Sequence, residues 1–161
     1  MRRSFIITTA LVAGAALAAG GAAGAPAKSA KTRITCTLQL FAQGPPQGTP
    51  PGGIQFGFPA CPRPFGTGVH YDAYTITPTG AGQGSIAGIF KNYYDRGTAR
   101  GTFALTFSAT SPTDIAYTGT VTYTRGTGAF SHLRGRGTIT CTSSDGGAHK
   151  ACRVHSTLTG I

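Results

Sequence analysis

The sequence predicts an all-β domain of about seven or eight antiparallel strands, closed into a barrel or, as the alternative, stacked as a two-sheet β-sandwich. Three observations predict it. From Ile34 onward, runs rich in Thr, Tyr, Val, Ile and Phe alternate apolar with polar residues, the periodicity of a half-buried strand. No amphipathic helical stretch follows residue 30, and the chain has no glutamate, one of the common helix formers. Short turns such as Pro78-Thr79-Gly80-Ala81-Gly82 and Ser111-Pro112-Thr113-Asp114 separate the runs, which suits an up-and-down meander. Closing such a meander removes the edges that a threonine-rich sheet would otherwise expose. The main rival is an immunoglobulin-like sandwich.

The 161-residue chain opens with MRRSFIITTALVAGAALAAGGAAGAPA, in which two arginines precede an uncharged apolar run and Ala25-Pro26-Ala27. This reads as a secretory signal over 1–27, cleaved near Ala27, and predicts a secreted protein. The second half of the run is Gly and Ala, which enter hydrocarbon weakly, so the mature chain is expected to have no transmembrane span. Arg2-Arg3-Ser4-Phe5-Ile6 resembles the twin-arginine signal, so the general secretory and twin-arginine routes both stay open. Residues 28–161 then form one domain. Without Arg2 and Arg3, twelve Lys and Arg face the four acids Asp72, Asp95, Asp114 and Asp145, a formal net charge of +8. That balance favours anionic partners such as an envelope polymer, but the cations are scattered singly, which argues against a specific nucleic-acid module.

Along the domain, Ile34, Cys36, Leu38 and Leu40 alternate with Thr35, Thr37 and Gln39 as a first strand. Residues 42–68 are so rich in Pro and Gly that they read as a long loop, with Phe56, Phe58 and Phe65 folding it back onto apolar surface. VHYDAYTIT, QGSIAGIFKNYY, ARGTFALTFSAT and IAYTGTVTYTR follow as strands, then GRGTITCTSS and ACRVHSTLTG. In an exported chain the four cysteines predict two disulfides. Three pairings are open; Cys36–Cys61 with Cys141–Cys152 is favoured because each closes a local loop. His149, Cys152 and His155 are evenly spaced but match no common zinc pattern, and neither a metal nor a cofactor is expected.

The segment YTRGTGAFSHLRGRGTITC is the most specific in the chain. Gly126 and Gly128 supply the positive φ of a tight corner, Phe130 turns inward to plug a barrel end, and Gly135 permits close backbone approach. Arg134 either caps carbonyls at the rim or contacts a ligand, with the rim role favoured. Arg125-Gly126-Thr127-Gly128-Ala129-Phe130, followed by Arg134-Gly135, resembles the G-G-T-G-x-F-x-x-x-R-G signature of dirigent proteins and is similar to the related segment of allene oxide cyclases. Arg125 stands where that signature has its first glycine. The resemblance implies an eight-stranded calycin-like barrel whose lumen positions a small molecule. Dirigent proteins steer the coupling of phenolic radicals, and allene oxide cyclases close a ring by confining a reactive epoxide. By this likeness the chain is expected to bind a small, largely apolar ligand in its lumen and to steer a cyclisation or coupling; the candidate contacts, read from this chain's own residues, are Tyr117 and Tyr123, which share one face of a strand, and Arg134 if it turns inward rather than capping the rim. The alternative is a non-enzymatic basic protein that adheres to an anionic envelope polymer.

Motifs of other chemistries are absent from the sequence. There is no G-x-S-x-G elbow, the acids are few for a paired-carboxylate site, and Gly80-Ala81-Gly82-Gln83-Gly84 lacks the Lys-Ser/Thr of a phosphate loop. The best catalytic candidates are His70, Asp72 and Tyr74, which share one face of a strand; shielded from water, they could act as general acid or base. The simpler reading of the same face is an exposed, hydrogen-bonded strand surface.

Overall fold

The computed structural model describes residues 30–161, which form a closed antiparallel barrel of eight strands in sequential order. They are β1 (Thr32–Ala42), β2 (Gly52–Ala60), β3 (Gly68–Gly80), β4 (Gln83–Tyr94), β5 (Gly97–Ala109), β6 (Ile115–Gly126), β7 (Arg134–Ser143) and β8 (His149–Thr159). Each strand pairs with the next, and β8 returns to β1 in a register from Thr32 opposite Leu158 to Phe41 opposite His149. Closure of this ladder decides for the barrel against the sandwich. The expected signal at 1–27 and its cleavage site lie outside the described residues. No helix among the described residues is long and apolar enough to cross a membrane.

Alternation sets the interior. On β1, Ile34, Cys36, Leu38 and Leu40 are buried between exposed Thr35, Thr37 and Gln39; on β6, Tyr117, Val121 and Tyr123 point in while Thr118, Thr120 and Thr124 point out. Burying each large apolar side chain contributes about 1.5–3 kcal/mol, and β-branched threonine suits the pleated exterior. The exterior is not uniform. Phe41, Phe56, Phe58, Val69, Ile89 and Tyr93 are exposed on β1–β4, whereas Arg33, Arg136, Arg153 and His155 are exposed on β1, β7 and β8.

The segment 42–68 is not one long loop. Its middle forms β2, paired with β1 from Ala60 opposite Thr37 to Gln55 opposite Ala42, and with β3 from Gly52 opposite Thr75 to Gly57 opposite His70. Pro59 falls in a gap of the ladder toward β3, between Gly57 opposite His70 and the isolated bridge of Ala60 to Thr67, where no bond needs the N–H that proline lacks. Phe56 and Phe58 therefore face solvent, and only Phe65 folds back as expected, with 5% of its surface exposed.

Both disulfides are the local ones, Cys36–Cys61 and Cys141–Cys152. Cys141 and Cys152 are directly opposite on β7 and β8 and face the interior. His149 and His155, at outward positions of the same strand, point away from Cys152, which separates the three residues weighed as a metal set.

One end of the barrel is plugged. Phe65 from the β2–β3 loop stacks on Phe130 with centroids 4.5 Å apart, and Tyr94 packs edge-on to both at 5.2 and 5.8 Å. Phe130 sits in a short 3-10 turn, Gly128–Phe130, and is fully buried with Leu133 and Leu158. Gly128 has φ +59°, as the corner requires. Gly126 does not take positive φ; a side chain there would run into the Thr98 carbonyl, so close approach is its reason. Thr127 fastens the corner to β5: its N–H donates to the Thr98 carbonyl at 3.0 Å and its hydroxyl accepts the Thr98 N–H at 3.2 Å. Gly135 likewise lies against the Thr157 carbonyl. Arg134 is exposed at this end and its guanidinium donates to the Leu133 carbonyl at 2.7 Å, the contact that a rim cap makes.

Candidate ligand site at the open mouth

The opposite end is open, bounded by the β1–β2, β3–β4, β5–β6 and β7–β8 connections. Below it lies a cavity of about 530 Å³. Its walls include Pro45, Pro46, Ile76, Ile86, Phe107 and Ile115, joined by the rings of Tyr74 and Tyr117, by Gln55 and by two residues of opposite charge, Lys150 and Asp145. This volume falls within the usual range of small-molecule sites. Deeper, between β1, β3, β4 and β6, the lumen narrows to a cavity of about 50 Å³. That space suits one or two waters rather than a ligand. The room for a guest is therefore at the mouth, and the lower lumen is filled by side chains, including Tyr123 against Phe90 at 5.3 Å.

His70, Asp72 and Tyr74 do share a face, and it points inward: all three are buried, the reverse of the exposed-surface reading. They run from the deep cavity up to the mouth. His70 Nε2 lies 2.9 Å from Asp72 Oδ2, and His70 Nδ1 lies 2.6 Å from Asn92 Oδ1. Asn92 Nδ2 donates to the Tyr94 hydroxyl at 3.2 Å, which turns its carbonyl oxygen toward His70. A carbonyl oxygen only accepts, so His70 Nδ1 carries a hydrogen. The contact between Nε2 and Oδ2 then needs a second proton, held on the imidazole or on the carboxyl. Asp72 Oδ1 is buried without a hydrogen-bond partner and lines the deep cavity with His70 and Asn92.

Burial pushes the Tyr74 pKa up, a Gln55 hydrogen bond opposing and the Asp72 charge adding. Burial likewise pushes Tyr117 up to about 12 and raises Tyr94 and Tyr123. Lys150 moves the other way: burial lowers its pKa, with Asp72 and Asp145 partly compensating. Its Nζ donates to the Gly147 carbonyl at 2.7 Å and stands 5.5 Å from the Tyr117 ring centre.

Of the expected ligand contacts, Tyr117 lines the mouth, Tyr123 lies in the deep lumen, and Arg134 is on the outer rim at the plugged end. The structure adds Gln55, Asn92 and Lys150. Their signal was parity: Asn92 is in step with Phe90, and Lys150 with Cys152 and Val154, so each polar residue occupies an inward position of its strand.

No protein-family model matches this chain, and no curated protein is similar to it in sequence. Among solved structures, it is similar to pyocyanin demethylase with 16% identity and a TM-score of 0.43, over 78% of this chain and 100% of that one. A likeness that slight carries no argument about function.

Proposed function

We propose that the protein is a secreted ligand-binding barrel whose open mouth takes a small, largely apolar molecule. One observation carries the reading: the two ends differ. Three packed aromatic rings fill one end, while the other opens on a cavity of about 530 Å³ walled by Pro, Ile, Phe and Tyr. A barrel built only for rigidity has no use for that asymmetry. The likeness of the Phe130 corner to dirigent proteins and allene oxide cyclases extends the proposal to steering a cyclisation or coupling. In that extension the His70–Asp72 pair beneath the mouth holds and delivers the proton. Export through a cleaved signal agrees with the two disulfides. Native mass spectrometry after incubation with a panel of apolar molecules tests the reading. One-to-one adducts are expected, and they should disappear when Ile76→Trp fills the mouth. Adducts that survive this substitution, or none with any compound, would count against it.

A second reading rests on the outer wall. Arg33, Arg136, Arg153 and His155 stand exposed among threonines on β1, β7 and β8, strands with no acidic residue. Such a face would hold an anionic envelope polymer. Retention on isolated cell wall that falls as salt rises would support this; indifference to ionic strength would remove it.

A further inference from the structure

We infer that the ligand of the mouth is an anion: a largely apolar molecule carrying a carboxylate or an equivalent oxyanion, received by Lys150. The inference rests on the ligand-binding reading above and adds the chemical class. Lys150 is 6% exposed, yet it points to no counter-ion. The ion pairs among the described residues are His70–Asp72 and Asp145–His149. Two carboxylates reach Lys150 with their charge but form no ion pair with it: Asp72 gives one oxygen to His70 and keeps Oδ1 without a partner, and Asp145, although it lines the mouth, is held by the His149 ring, by the Ser143 hydroxyl at 2.8 Å and by the His149 N–H at 2.9 Å.

An ammonium has three donors, and the Gly147 carbonyl takes one. A buried, unpaired charge is costly, so proteins rarely retain one unless something pairs with it. Lys150 lines both the mouth and the deep cavity, so its ammonium stands where the two spaces meet. A carboxylate descending between Tyr74 and Tyr117 would meet the ammonium head-on. Both tyrosine hydroxyls are protonated at neutral pH, as tyrosines ordinarily are, and burial raises their pKa further, so they can offer hydrogens to such an anion. A neutral guest of the same shape would cover Lys150 and leave it unpaired, so the site selects against neutral ligands as well as for anions.

Calorimetric titration of the intact protein with naphthoate and with its neutral methyl ester tests the assignment. Naphthoate should bind at least about tenfold more tightly than the ester. Lys150→Met should erase that preference and Lys150→Arg should retain it, with melting curves confirming that each variant is folded. If acid and ester bind the parent protein equally, the anion assignment fails while the ligand-binding mouth stands. If neither binds, the mouth reading itself fails and takes the assignment with it. The acid–ester comparison on the parent protein decides even if a variant does not fold.

Discussion

At the scale of single residues, the buried His70–Asp72 pair is the most exacting feature. Its members are held at 2.9 Å with side chains only 6% and 3% exposed, so whatever replaces one of them must satisfy the other. Asp72→Asn keeps an oxygen and gains an amide hydrogen that can face Nε2; we expect it to lower stability by less than about 1 kcal/mol. Asp72→Ala leaves a buried imidazole nitrogen without a partner, for a loss of about 3 kcal/mol. Urea denaturation of the two variants measures the gap. Equal losses would mean that an amide of the same shape cannot stand in for the carboxyl, and that the pair depends on the acid itself. The three residues were singled out in the sequence because a shared face follows from period two alone. Whether that face was core or surface could not be read there, because Ala73 and Tyr71 on the other face are no more polar than His70 and Asp72 are apolar. Only closure of the barrel tells them apart.

At the scale of elements, the corner and the disulfides were legible and β2 was not. Phe130 between glycines has a local cause, positive φ at Gly128, so its inward turn could be read from a few residues. Local cysteine pairing also follows from short-range geometry. In β2 the residues Gly52, Gly53, Gly57 and Pro59 each argue against a strand on propensity, and it is the hydrogen bonding of β1 and β3 on its two sides that overrules them. The plugged end joins three elements through three rings, which gives the corner a reach beyond its own turn. Phe130→Ala should cost about 3–5 kcal/mol, as large aromatic truncations in cores do. Faster amide exchange across residues 61–67 should accompany the loss, since Phe65 loses the ring on which it stacks. Arg134→Ala, which removes only an exposed rim contact, should cost less than about 0.5 kcal/mol. If exchange in 61–67 is unchanged in Phe130→Ala, the rings are neighbours without being a unit.

At the scale of the whole molecule, the barrel is a closed ladder whose interior carries phenols as well as hydrocarbon, and this ties its stability to alkaline pH. Tyr74, Tyr94, Tyr117 and Tyr123 all have pKa values raised by burial, Tyr117 to about 12. In the unfolded chain a tyrosine ionises near about pH 10. Above that pH the folded state binds more protons than the unfolded state, so stability falls as pH rises toward the folded pKa values; below it the contribution is intact. Lys150 acts in the opposite sense. Its lowered pKa makes stability rise with pH up to about 10.4, but it is one group against four, and its range is nearly spent where theirs begins. The melting temperature should therefore hold level or rise slightly up to about pH 10 and drop steeply by about pH 12. Because the four phenols share one closed core, they should ionise together with the collapse of the ladder. Tyrosinate absorbance and far-ultraviolet circular dichroism, followed in one titration, should change at the same pH for these residues. Gradual ionisation of all six tyrosines while the strand signal persists would show that water and hydroxide enter an intact barrel, and that the interior is less tightly sealed than its aromatic plug implies.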